Sequence, residues 1–203
     1  MSVAASLEAL VTTGLRHRWA VAVKARLRNA VWLARGRSIQ HPPTPKEWRT
    51  LLFVCQGNIC RSPFAAELAR RVMPAGVRCQ SAGFRAEADA SSPADAVEAA
   101  GRLGVSLHEH RATPLTPALM DRADIIFVME AWHLRLLRSQ YPGHRHKIQL
   151  LPFHDPSRAS TSAYDRFHIA DPYGKPPDVF DACFSRIERT VAALGQIART
   201  RVA

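Results

Sequence analysis

The chain has 203 residues, a formal charge of +11 and four cysteines. That length suits one domain with a full core plus an appendage. No uninterrupted apolar run approaches the roughly 18–20 residues that span a bilayer, and four cysteines do not make a disulfide scaffold.

The charge is unevenly placed. Residues 1–50 hold nine Lys/Arg against two acids, a net +7 of the +11, which leaves +4 for the rest. Residues 5 to about 36 read as a helix, because Trp19, Val23, Leu27 and Val31 recur every fourth residue with Ala20 and Ala30 alongside. Lys24, Arg28 and Arg35 fall to one side of that stripe, and Arg16 interrupts it. Gly36 and the prolines 42, 43 and 45 then break the pattern as a linker would. The early arginines interrupt the apolar core that a secretory signal needs. We expect residues 1–49 to be a basic helical extension with a Pro-rich linker, and residues 50–203 to be a separate catalytic domain. The plainest role for the extension is a solvated tail or a helix packed on the domain. The sharper ones are docking on an anionic membrane face or on an acidic partner. Its composition also overlaps that of an organelle transit peptide. Nucleic acid is disfavoured, since no recognition motif accompanies the charge. The expected location is the cytoplasm, with or without peripheral membrane attachment.

Leu51 to Pro63, LLFVCQGNICRSP, is the stretch around which the rest of the chain is organised. Leu51 to Val54 form a short apolar run, as a strand buried on both faces does. Gly57 and Asn58 tolerate positive φ. Ser62-Pro63 reads as an N-cap followed by proline at the first helical position, and FAAELARRVM continues with good helix formers. A loop between a strand end and a helix start makes an anion site. The N–H groups from Gln56 to Arg61 turn toward one centre, and the helix N-terminus adds partial positive charge. Arg61 supplies a planar fork for two phosphate oxygens. A cysteine facing this field is favoured as thiolate, so Cys55 is the candidate nucleophile and its target an oxyanion ester. Cys-x5-Arg alone is a weak signal; here the strand, the Gly-Asn pair and the helix start agree with it.

VCQGNICRSP resembles the signature of the low-molecular-weight protein tyrosine phosphatases, and the resemblance runs from about Leu51 to near the C-terminus. It implies an α/β domain with a small parallel sheet flanked by helices, flavodoxin-like and of the phosphotyrosine phosphatase I type. The phosphate loop would lie at the C-terminal end of the first strand, where ligands bind in open α/β sheets. It implies hydrolysis of protein phosphotyrosine through a cysteinyl phosphate, without metal or cofactor, on a phosphotyrosine-bearing protein substrate. Gln56, Gly57, Asn58, Ile59, Cys60 and Ser62 would form the phosphate cradle. Within it Asn58 holds the loop shape, and the Ser62 hydroxyl eases departure of the Cys55 sulfur.

The remaining pattern alternates strands and helices, which makes a parallel sheet the natural architecture. Val77 to Ser81 reads as a strand, ending in Ser81-Ala82-Gly83. Phe84 to Ser92 is a loop that forms one wall of a cleft. Ser92-Pro93-Ala94-Asp95 resembles a capping box, and its helix stops at Gly104. Thr116-Pro117 opens a further helix. Asp124 to Met129 is a central strand, Glu130 to Tyr141 a helix, and Ile148 to Leu151 a last short strand. From Pro177, Cys183, Ile187, Val191 and Leu194 form a core-facing stripe.

Expelling an alkoxide or phenoxide needs a proton donor. Asp171-Pro172 resembles the family's general-acid loop, which makes Asp171 the candidate acid. Asp155-Pro156 is a competing pair, further from the last helix and without an aromatic after the proline. Tyr173 is the candidate aromatic wall, with Phe84 second; Gly174 stands where the family often has another aromatic. Cys60 reads either as a packing residue or as a partner that traps an oxidised Cys55 as a disulfide. Cys79 and Cys183 read as strand and core residues. The nine histidines scatter without metal-ligand spacing. Rival readings on the same scaffold are an arsenate reductase, for which Cys79 and Cys183 make a poor shuttle, and a phosphoarginine phosphatase, in which threonine is usual at the Ile59 position. A non-catalytic phosphotyrosine-binding module is the rival of another class.

Overall fold

The computed structural model describes residues 3–36, 39 and 48–202, with side chains at 20–36, 39 and 48–200. The expected linker lies almost wholly outside the described residues, as does the Trp19 side chain. The chain divides into two compact units, residues 1–40 with Ser162–Tyr164, and residues 41–161 with 165–203.

In the first unit, α1 spans Val3–Gly36, close to the helix expected from periodicity. The backbone N–H of Tyr164 donates to Asn29 Oδ1 at 3.1 Å, the Tyr164 ring meets Trp32 edge-on, and the Arg28 guanidinium lies 4.0 Å over it.

The second unit is built on a four-stranded, all-parallel sheet in the order β2-β1-β3-β4. Its strands are β1 (Thr50–Cys55), β2 (Arg78–Gly83), β3 (Ile125–Val128) and β4 (Ile148–Leu150). Leu51 to Val54 and Ile125 to Val128 are inaccessible to solvent, which is why both read as unbroken apolar runs. Each such side chain contributes about 1.5–3 kcal/mol by leaving water.

Among the described residues five α-helices flank the sheet: α2 (Arg61–Val72), α3 (Ala94–Arg102), α4 (Pro117–Arg122), α5 (Ala131–Gln140) and α6 (Pro177–Val202). Cys183, Ile187, Val191 and Leu194 of α6 are buried as their spacing predicts. Phe184 stacks on Phe64 of α2 with ring centroids 4.1 Å apart, which fixes the helix carrying Arg61 against the core. Thr116 caps α4 through its hydroxyl, with Pro117 in the first turn. Two expected caps are absent. Pro93 is the N-cap of α3 and no side chain caps it, because the helix starts two residues after Ser92. Cys60 is the N-cap of α2, so Ser62 already lies inside the helix and its hydroxyl is engaged elsewhere.

Candidate active site

β1, an inner strand, ends at Cys55 at the C-terminal end of the sheet, and residues 56–60 curl from there into α2. Asn58, at φ 54°, takes the left-handed conformation that the curl requires, and Gly57 does not. Asn58 is fully buried and ties the loop together. Its Nδ2 donates to Ser62 Oγ at 2.8 Å, its Oδ1 accepts the Thr113 N–H at 2.7 Å, and its carbonyl meets His110 Nε2 at 2.7 Å. Gly83, paired with Cys55 in the sheet, backs the loop closely. A Cβ there would stand 2.7 Å from the Gln56 carbonyl oxygen and 2.8 Å from the Asn58 nitrogen, so no larger residue fits.

Two groups converge on the Cys55 sulfur. The Asn58 N–H donates to it at 3.3 Å, and Ser62 Oγ lies 3.0 Å away. An acceptor-only thiolate suits both. Ser62 is thus not a helix cap but a hydroxyl placed against the nucleophile.

Arg61 is 1 % exposed, a charge that can be buried only because it is paired. Its Nη1 donates to Glu130 Oε1 at 2.7 Å and to the Ile169 carbonyl at 2.9 Å, and its Nη2 to Asp171 Oδ2 at 2.5 Å. Burial works to lower its pKa, but Cys55, Asp171 and Glu130 outweigh it, and the group stays protonated. Among the described residues its Nε N–H has no hydrogen-bond partner, although it is buried. That leaves a donor for an anion seated in the loop.

Glu130 lies two residues past the end of β3, with His133 Nε2 at 3.7 Å and His168 Nδ1 at 3.6 Å from its carboxylate. Burial opposes its charge, yet His168 and Arg61 hold its pKa down at about 2. His133 is pushed down to about 3 by burial and by Arg61, so it is neutral.

The loop opens into a cleft of about 180 Å³ lined by Cys55, Gln56, Gly57, Ile59, Cys60, Arg61, Arg85, Asp171 and Tyr173. The segment carrying Asp171 is pinned beside it, the Ile169 N–H donating to the Met129 carbonyl at 2.8 Å. The Tyr173 N–H donates to Asp171 Oδ1 at 3.2 Å, and its side chain stands 60 % exposed at the cleft mouth.

Cys55, Arg61, Asp171 and Tyr173, separated by up to 118 positions, therefore share one cleft. Asp155 does not reach it. Its buried carboxylate accepts from Arg186 Nε at 2.8 Å and Arg189 Nε at 3.0 Å, bracing α6. Phe84 packs against Trp132 and His133 instead of forming the wall, and Arg85 lines the cleft beside it. Cys60 is buried and its pKa is pushed up, first by that burial, which keeps it a thiol. Cys79 and Cys183 are buried thiols, raised to about 11 and about 12 by burial. Sequence reasoning missed Glu130, His110 and Arg85. Glu130 alone carried a signal: a single acid at the C-terminal end of an apolar strand, where sites in such sheets lie.

Comparison with known proteins agrees with this geometry. The profile of the family described as "Low molecular weight phosphotyrosine protein phosphatase" matches residues 50–202. A probable low molecular weight protein-tyrosine-phosphatase, EpsP of Ralstonia nicotianae, is 37 % identical over 145 residues, which cover 71 % of this chain and 92 % of EpsP. The tyrosine phosphatase Wzb from Escherichia coli K30, solved in complex with sulphate, superposes with a TM-score of 0.67 at 30 % identity, covering 74 % of this chain and 99 % of Wzb. The YwlE arginine phosphatase from Geobacillus stearothermophilus superposes with a TM-score of 0.67 at 28 % identity, covering 75 % and 94 %. The chain thus belongs to the low molecular weight phosphotyrosine protein phosphatase family.

Proposed function

We propose that the protein hydrolyses phosphotyrosine in proteins through a cysteinyl phosphate on Cys55, with residues 50–203 carrying the chemistry. The phosphoryl group enters the loop and takes the Arg61 Nε N–H, while the guanidinium spreads the charge of its oxygens. The Cys55 thiolate attacks phosphorus as the P–O(aryl) bond breaks, and Asp171 gives its proton to the departing phenoxide. In the second step Asp171 takes a proton from water, the water oxygen bonds to phosphorus, and the S–P bond breaks. The Ser62 hydroxyl, 3.0 Å from the sulfur, stabilises the returning thiolate. Gln56 to Cys60 shape the cradle around the phosphate, and Tyr173 offers a flat wall to the substrate ring.

One observation carries this reading. A buried arginine with an unpartnered Nε N–H stands in the same cleft as a cysteine that already receives two polar contacts. The test is turnover of p-nitrophenyl phosphate and a phosphotyrosine peptide by the wild type and Cys55→Ser. Loss of activity in the variant and indifference of the wild type to EDTA are expected; near-normal turnover by Cys55→Ser overturns the mechanism.

A phosphoarginine phosphatase is the second reading, prompted by the likeness to YwlE. Ile59 weighs against it, since its apolar side chain in the cleft suits an aryl ring better than a guanidinium. Comparing kcat/KM for phosphotyrosine and phosphoarginine peptides decides between them. No helix among the described residues is long and apolar enough to cross a membrane. The finer expectation, attachment to a membrane surface, rests on α1.

A further inference from the structure

We infer that one face of α1 docks on the surface of an anionic lipid membrane, lying in its plane. Successive residues of a helix turn by about 100°, so Val23, Leu27 and Val31 fall on one line with Ala20, Ala30 and Ala34 beside them. All six are exposed, with Val23 at 46 %, Leu27 at 64 % and Val31 at 45 %. This apolar line is bordered by cations on both edges, Lys24 and Arg35 on one and Arg26 on the other. Val21 and Leu33, also exposed, lie beyond those edges and are not part of the line.

The opposite face is already occupied. There Trp32 is buried and meets Tyr164 edge-on, and Asn29 accepts the Tyr164 N–H. The helix therefore has one face committed to its own unit and another that presents Val23, Leu27 and Val31, with Lys24 and Arg35 on one edge and Arg26 on the other.

The charge pattern selects the occupant. Eight basic residues and no acid lie between Glu8 and Glu47. An apolar stripe between two cationic edges matches the layering of a membrane interface. The aliphatic groups enter the acyl boundary, and the long cationic side chains reach back to anionic headgroups. Protein hot spots, by contrast, favour large aromatic anchors seated in pockets. The described aromatic residue of this helix, Trp32, points the other way, and Val, Leu and Ala offer small, open contacts. The helix is too polar to cross a bilayer, which leaves the surface as its place.

The test uses the full chain and co-sedimentation with vesicles of phosphatidylcholine, with and without phosphatidylglycerol. The wild type should partition to the anionic vesicles at least about tenfold better than to the neutral ones at low salt, and lose most of that preference at high salt. Leu27→Glu/Val31→Glu should cut partitioning about tenfold or more, and Lys24→Gln/Arg26→Gln should weaken it with a shallower salt dependence. Both variants should turn over p-nitrophenyl phosphate at the wild-type rate, which separates docking from chemistry. If Leu27→Glu/Val31→Glu unfolds the helix by circular dichroism, Leu27→Ser/Val31→Ser makes the same test with less disruption. Absence of wild-type partitioning at low salt overturns the proposal. So does wild-type partitioning by folded stripe variants, and so does retention of polyglutamate in place of anionic vesicles, which would assign the face to an acidic partner.

Discussion

Arg61 Nη2 lies 2.5 Å from Asp171 Oδ2, so the proposed phosphate-binding cation and the proposed proton donor are bound to each other across 110 positions of sequence. The same guanidinium holds the Ile169 carbonyl two residues before Asp171, which fixes the acid loop as well as its carboxylate. In the proposed mechanism the phosphate takes the Arg61 Nε N–H, and Asp171, held beside it, protonates the ester oxygen. Asp171→Asn should therefore slow turnover strongly on phenyl phosphate and less on p-nitrophenyl phosphate, whose leaving group needs less protonation. Steady-state rates on the two esters check this; equal losses on both would reduce Asp171 to a structural partner of Arg61.

Arg61→Lys should be severely impaired. An ammonium cannot reach Glu130, the Ile169 carbonyl and the phosphate together. Loss of such charge stabilisation costs on the order of 10²–10³ in rate. A kcat within a factor of about three of wild type would place Arg61 outside the reaction.

Glu130 is the more buried of the two carboxylates on Arg61, and removing it leaves that cation with the part-exposed Asp171 and the Ile169 carbonyl. Breaking a buried pair of this kind costs about 3–5 kcal/mol. Glu130→Ala should lower the unfolding midpoint and, at temperatures where it stays folded, raise KM for aryl phosphates. Denaturant melts with kinetics read both. Unchanged stability would mean that Arg61 does not depend on this carboxylate.

Acid stability should follow His133 and Glu130. His133 is pushed down to about 3 from 6.5, by burial and by Arg61. Below pH 6.5 the unfolded chain binds a proton there that the folded protein refuses. Stability from this site is thus full above pH 6.5 and lost as pH falls toward 3. Glu130, held down at about 2 from 4.5, adds a loss that begins below pH 4.5. Thermal midpoints should decline as pH drops from 6.5 and steepen below 4.5, and His133→Gln should flatten the upper part. Parallel curves for the two proteins would contradict this.

The anion loop was legible because strand, curl and helix start lie in thirteen consecutive residues, and each step has local chemistry. The sheet was legible for the same reason, its inner strands being apolar runs. The buried partners of Arg61 were not. Glu130 stands 69 positions away and reads, by its neighbours, as the opening of α5. Ser62 read as a cap because Ser-Pro often begins a helix; here the helix starts two residues earlier than that reading and the hydroxyl turns to Cys55. His110 is one of nine scattered histidines, and only the fold brings it to the Asn58 carbonyl. Asp155 offered the same dipeptide as Asp171, and its two arginine partners on α6 appear only once that helix is packed.

The most direct test of the central claim is the covalent intermediate. The wild type is mixed rapidly with p-nitrophenyl phosphate and quenched in acid, and the peptide carrying Cys55 is weighed by mass spectrometry. The account predicts one phosphoryl group on Cys55, formed with a burst of p-nitrophenolate and lost as substrate runs out. Turnover with no phosphoryl group on Cys55 at any time would contradict it.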